Sequence, residues 1–163
     1  FKIARYYRAS TILEMGTSLG ISGSYLALAN TKAKVISLEG APEIAEQAQK
    51  TFDSCIVTNA EIMVGNFKDT LPQALQKLSK IDIAYIDGNH QKQATLEYFE
   101  QILPYCHNDS ILIFDDIYWS KGMFEAWQQI SEDLRVSVSI DICKLGFVFF
   151  RAGMTKQNFT IKY

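Results

Sequence analysis

No block rich in lysine and arginine interrupts the 163-residue chain, and its formal net charge is only −2. A nucleic-acid surface built on phosphate neutralisation therefore has no footprint, and bulk charge does not steer a substrate. Cysteine is scarce: Cys55, Cys106 and Cys143 are odd in number, widely spaced and set among apolar residues. That pattern speaks against a disulfide framework and for thiols in a reducing compartment. No run approaches the roughly 18–20 apolar residues of a membrane span, and no charged-then-apolar signal opens the chain. Cytoplasmic location is the expectation. Repeats, low-complexity segments and long linkers are missing too, so one domain over residues 1–163 is expected, its core supplied by a 48% hydrophobic composition. The first residue is Phe rather than Met and "FKIARYYRA" reads as part of a helix, so N-terminal sequence is expected to precede it.

What the chain does have is alternation. Short runs rich in Ile and Val separate longer segments of helical period, which marks βαβ units around a parallel sheet. Strands are expected at Thr11–Met15, Lys34–Leu38, Glu61–Val64, Ile81–Ile86, Ser110–Asp115, Arg135–Asp141 and Leu145–Arg151, and helices at Ser22–Asn30, Pro42–Phe52, Lys68–Leu78, Gln91–Pro104 and Lys121–Asp133. Pro42 suits the front of a helix and Ser22 offers a hydroxyl cap. "CHND" and "NAE" read as turns. The last two runs are joined through "ICKLG", too short for a helical crossover, and predict an antiparallel hairpin at the sheet edge. The fold reading is a three-layer α/β sandwich around a doubly wound, seven-stranded, mostly parallel sheet.

In such sheets ligands bind beyond the carboxyl ends of the strands. Those ends are polar here: Glu14 to Ser18, Glu39, Asn66, Asp87 to His90, and Asp115 with Asp116. The first loop, "LEMGTSLGIS", carries glycines at 16 and 20, which fits neither the dinucleotide fingerprint nor the phosphate-binding P-loop. Two readings stay open. The turn lets backbone approach a ligand, with Ser18, Ser22 and the helix N-terminus holding a carboxylate, or Gly16 and Gly20 only make a tight turn. Glu39 stands where doubly wound folds place an acid for ribose hydroxyls; a solvated acid at a helix start is the plainer reading. Together with the glycine loop it points to a nucleoside ligand.

Asp87, Asp115 and Asp116 converge on one mouth, and three carboxylates there repel unless a cation or a hydrogen-bond donor stands between them. An oxygen-only set suits Mg²⁺ or another hard divalent cation. Alternatively one acid caps a helix or meets a backbone amide while another contacts a ligand amine. His90, on the Asp87 loop, is suited to act as a general base near neutral pH; a surface histidine is the plain alternative. His107 reads as structural. Tyr118, Trp119 and Phe124 suit a pocket wall, whereas Trp127 has the spacing of a core residue.

Taken in order, "LEMGTSLGIS", "VISLEGAPEIAEQA", "VGNFKDTLPQAL", "IDIAYIDGNH" and "ILIFDDIYW" resemble the motifs of the class I S-adenosylmethionine-dependent methyltransferases. The closer resemblance is to the metal-dependent small-molecule O-methyltransferases of the catechol and caffeoyl-CoA type, over nearly the whole chain. The resemblance implies a Rossmann-like fold and S-adenosylmethionine as cofactor. Glu14, Gly16, Thr17, Ser18, Gly20 and Ser22 would then lie around its methionine part. Glu39 with Gly40 would lie at the ribose, Asn66 and Phe67 at the adenine, and Asp87 near the methionyl end. It further implies a divalent metal on Asp87, Asp115 and Asp116, and catalysis by Asp87 and His90. Two departures stand out. That group has aspartate then asparagine where this chain has Asp115-Asp116, and lysine where this chain has His90.

The reading that results is methyl transfer to a hydroxyl, or an amine, of a small molecule, with no nucleic-acid or membrane partner. The edge strands and aromatic surface leave a homodimer open. Two rivals are a nicotinamide-dependent oxidoreductase, against which the missing third glycine counts, and a non-catalytic nucleoside-binding module.

Overall fold

A computed structural model describes residues 1–162. The fold is α/β, with parallel strands through its first half and antiparallel strands towards its C-terminal end. The chain divides into two compact units, Phe1–Ala84 and Tyr85 onward.

In the first unit the elements are α1 (Lys2–Tyr6), β1 (Thr11–Met15), α2 (Ile21–Ala29), β2 (Lys34–Glu39), α3 (Pro42–Ser54), β3 (Ala60–Val64), α4 (Phe67–Leu78) and most of β4 (Ile81–Ile86). The strands lie in the order β3-β2-β1-β4. The pairing is parallel, with Thr11 opposite Lys34 and Val35 opposite Ala60. Ile12, Leu13, Met15, Ile36 and Leu38 are fully buried, as near-continuous apolar runs in a two-sided sheet should be. Asp82 ties β4 to the start of β1 by accepting from the Ser10 and Thr11 amides at 2.6 and 3.0 Å.

In the second unit, the end of β4 leads to α5 (Lys92–Ile102), a single 3₁₀ turn, β5 (Cys106–Phe114), α6 (Lys121–Glu132), β6 (Val138–Ile142), β7 (Leu145–Phe149) and β8 (Gln157–Thr160). The order here is β5-β7-β6-β8. The expected hairpin is present, with Ile142 opposite Leu145 and Val138 opposite Phe149.

Four expectations are corrected. Among the described residues there are eight strands rather than seven, because β8 pairs parallel to β6. The hairpin is therefore not at the edge. "CHND" opens β5 instead of forming a turn, and Ala60 and Glu61 of "NAE" begin β3. Ser22 lies inside α2, whose N-cap is Gly20 with φ +77° and no side-chain cap bond. The Asn66 and Ser120 side chains do cap α4 and α6, accepting from the Lys68 and Met123 amides. Among the described residues no helix is long and apolar enough to cross a membrane.

Candidate active site

The first cluster of interest stands at the carboxyl ends of β1, β2 and β3. Gly16, Ser18 and Gly20 have φ of +95°, +49° and +77°, so every second residue of the loop is left-handed. That winding turns its amides inward. Gly16 and Thr17 both donate to the Leu38 carbonyl at 2.9 and 3.1 Å, and Gly20 donates to Thr17 at 2.9 Å. Ser18 donates to Glu39 Oε2 at 2.9 Å. A phosphate cradle needs free amides, and these four are spent.

Glu39 is half-buried, and its Oε1 accepts from the Ala41 amide at 3.0 Å. Each carboxylate oxygen thus has one backbone donor and keeps a second lone pair, which suits two adjacent hydroxyls. Beside it Gly40 is exposed, and a Cβ there would meet nothing within 4 Å. The β3 end is tied in through the Gly65 amide, which donates to the Glu39 carbonyl at 2.9 Å. It is followed by exposed Asn66, its Oδ1 engaged by Lys68, and half-buried Phe67. Gly16 and Ser22 are half-buried and Ser18 is exposed.

Glu14 is 0% exposed, Thr17 is 1% exposed and Gly20 is buried. They support the loop from behind. The Ser37 hydroxyl donates to Glu14 Oε2 at 2.5 Å and lies 2.6 Å from the Thr17 hydroxyl. Gly20 is needed for packing, since a Cβ would stand 3.0 Å from the Ala48 carbonyl oxygen.

The second cluster stands at the ends of β4 and β5. Asp115 is placed by its own amide, which donates to the Ile86 carbonyl at 2.9 Å. Its Oδ1 accepts from the Asp116 amide at 2.7 Å, and its Oδ2 accepts from the Tyr85 hydroxyl. That hydroxyl also lies 3.4 Å from Asp87 Oδ2. His90 Nε2 is 3.6 Å from Asp87 Oδ1, and its ring stands 5.9 Å from that of Trp119. Burial foremost, then the negative charge of Asp115, hold the Asp87 carboxyl above the usual carboxylate range, while His90 and the Tyr85 bond pull it back.

The expected metal set of Asp87, Asp115 and Asp116 is not assembled. Among the described residues no three His, Cys, Asp or Glu side chains come together in a way that could hold a metal ion. Asp115 is instead engaged by a peptide amide on one oxygen and a phenol on the other. Asp116 follows with φ +51°, its amide committed to Asp115.

Tyr118 and Trp119 are exposed and Phe124 is half-buried. The rings of Tyr118 and Phe124 stack at 5.2 Å. Trp127 is 5% exposed and packs on Phe114, as its spacing predicts. His107 Nδ1 accepts from the Asp109 amide at 3.2 Å, a local structural bond. Sequence reasoning missed Tyr85. The signal was available, because residues two apart at a strand end share a face, which puts Tyr85 on the side of Asp87.

A family profile described as "Methyltransferase domain" matches residues 13–117. No curated protein matches the chain by sequence. Solved structures similar to it include the O-methyltransferase TomG of Streptomyces achromogenes, in complex with SAM (22% identity, TM-score 0.81, covering 93% of this chain and 77% of that one). An O-methyltransferase of Bacillus cereus, in complex with SAH, gives 21% identity and a TM-score of 0.77 over 91% of this chain and 77% of that one. The SAH-bound methyltransferase PaMTH1 of Podospora anserina gives 18% and 0.73 over 92% and 75%.

Proposed function

Since the chain belongs to the methyltransferase domain family, we propose that it transfers a methyl group from S-adenosylmethionine to a hydroxyl oxygen of a small molecule. The observation that carries the cofactor choice is Glu39, held at the end of β2 by two backbone amides with lone pairs left for two adjacent hydroxyls. The amides of Gly16, Thr17, Ser18 and Gly20 are used internally and the loop lacks the third glycine of the dinucleotide fingerprint, which disfavours a dinucleotide's pyrophosphate and with it the oxidoreductase reading. S-adenosylmethionine supplies an activated methyl group on a sulfonium.

The remaining roles fall to this chain's residues. Glu39 and Gly40 bind the ribose, Gly16, Ser18 and Ser22 face the methionine part, and Asn66 and Phe67 face the adenine. Asp87 attracts the cationic methionyl end. His90 accepts the acceptor's proton as the new carbon–oxygen bond forms, with Asp87 beside it to stabilise the imidazolium. Catalysis then rests chiefly on holding acceptor oxygen, methyl and sulfur in line.

Isothermal titration calorimetry tests the proposal. Intact protein should bind S-adenosylmethionine, and Glu39→Ala should weaken binding by roughly tenfold to a hundredfold, the size of one hydrogen bond to a charged group, about 1.5–3 kcal/mol. Absence of binding by the intact protein would refute it.

A further inference from the structure

We propose that the Tyr85 hydroxyl takes the place of a divalent cation between Asp87 and Asp115, making Tyr85 the positioning residue of a metal-independent acid pair. Two carboxylates brought to one place need a positive charge or a shared donor between them. A phenol provides the second. Tyr85 is half-buried at the end of β4. Its hydroxyl donates to Asp115 Oδ2 and stands 3.4 Å from Asp87 Oδ2, so it lies between the two carboxylates.

The rest of the surroundings fit a donor rather than a cation. The other Asp115 oxygen accepts from the Asp116 amide, and the far oxygen of Asp87 faces His90 Nε2 at 3.6 Å. Mg²⁺ sits about 2.0–2.1 Å from its ligands and keeps near-octahedral geometry. A cation placed between Asp115 Oδ2 and Asp87 Oδ2 would have to displace the Tyr85 hydroxyl that stands there. Phe at position 85 would keep the ring and remove this obstacle.

The functional meaning of the proposal rests on the methyltransferase reading, but its test does not. Mn²⁺ is added to the full chain without cofactor, and free Mn²⁺ is followed by electron paramagnetic resonance. Intact protein at up to millimolar concentration should leave the free-ion signal undiminished. Tyr85→Phe should cause loss of that signal, and Asp115→Asn added to it should restore the signal. If Tyr85→Phe does not fold by circular dichroism, Tyr85→Leu removes the same hydroxyl. Loss of signal with intact protein, reversed by Asp115→Asn alone, would overturn the proposal. So would the absence of Mn²⁺ binding by a folded hydroxyl-free variant, because Tyr85 would then not be what excludes the cation. Calorimetry with S-adenosylhomocysteine on the same samples reports the methyltransferase reading separately.

Discussion

Tyr118 donates its phenol proton to Asp141 Oδ2 on β6. That bond first, with burial and the Asp141 charge behind it, pushes the phenol up to about 12. The sign follows from linkage: a folded-state value above the ordinary 10 makes the bond's contribution complete below about pH 10 and lost as the pH rises towards about 12. Tyr118→Phe should therefore melt below the parent protein at neutral pH, and the two should converge in strong alkali. Melting curves across that range, read beside the phenolate absorbance, check this; a gap that persists at high pH would mean that the hydroxyl acts otherwise. The polar residues at strand ends, Glu39, Asp87, His90 and Asp115, were legible in the sequence because an acid or histidine after an apolar run has few structural reasons to be there. Glu14 differs in its surroundings. It lies in such a run, but its partner Ser37, opposite it on β2, makes it an interior group, and no local pattern reveals a partner more than twenty residues away.

At the scale of elements, two glycines decide how closely layers approach. A Cβ on Gly146 of β7 would stand 2.5 Å from the Trp127 ring, a rigid group already packed on Phe114 at 6.4 Å. Overpacking of this kind costs about 1–3 kcal/mol. Gly23 of α2 is a sharper case, because Ala there would gain about 1 kcal/mol of helix propensity. Its Cβ, however, would meet Glu14 Oε2 at 2.6 Å and Phe52 at 2.9 Å, so overpacking is expected to win. Both Gly146→Ala and Gly23→Ala should lower the denaturation midpoint at unchanged slope. A stabilised Gly23→Ala would show that α2 can lift off β1 at little cost. The same scale explains what the sequence hid. Alternating apolar runs and helical periods revealed most strands and helices, but "QNFT" of β8 has no such run and every one of its residues is exposed. Its strand character comes from pairing with β6. "CHND" carries turn chemistry and becomes strand through the same kind of override.

For the whole molecule, the residues assigned to ribose, adenine and most of the methionine precede Ala84, while the acids and His90 follow it. Ligand stabilisation separates these two sets. S-adenosylhomocysteine at about a hundred times its dissociation constant should add about 2.7 kcal/mol to the unfolding free energy, whatever the local contacts that hold it. For a chain of this size that is roughly 5–10 °C in melting temperature. NAD should give no shift, because the loop lacks the third glycine of the dinucleotide fingerprint. Glu39→Ala should lose most of the S-adenosylhomocysteine shift at the same ligand concentration. Asp115→Asn should keep it, since Asp115 is bonded to Tyr85 and the Asp116 amide and has no assigned role in holding the cofactor. Should Asp115→Asn lose the shift as fully as Glu39→Ala, Asp115 would have to be counted among the groups that hold the cofactor.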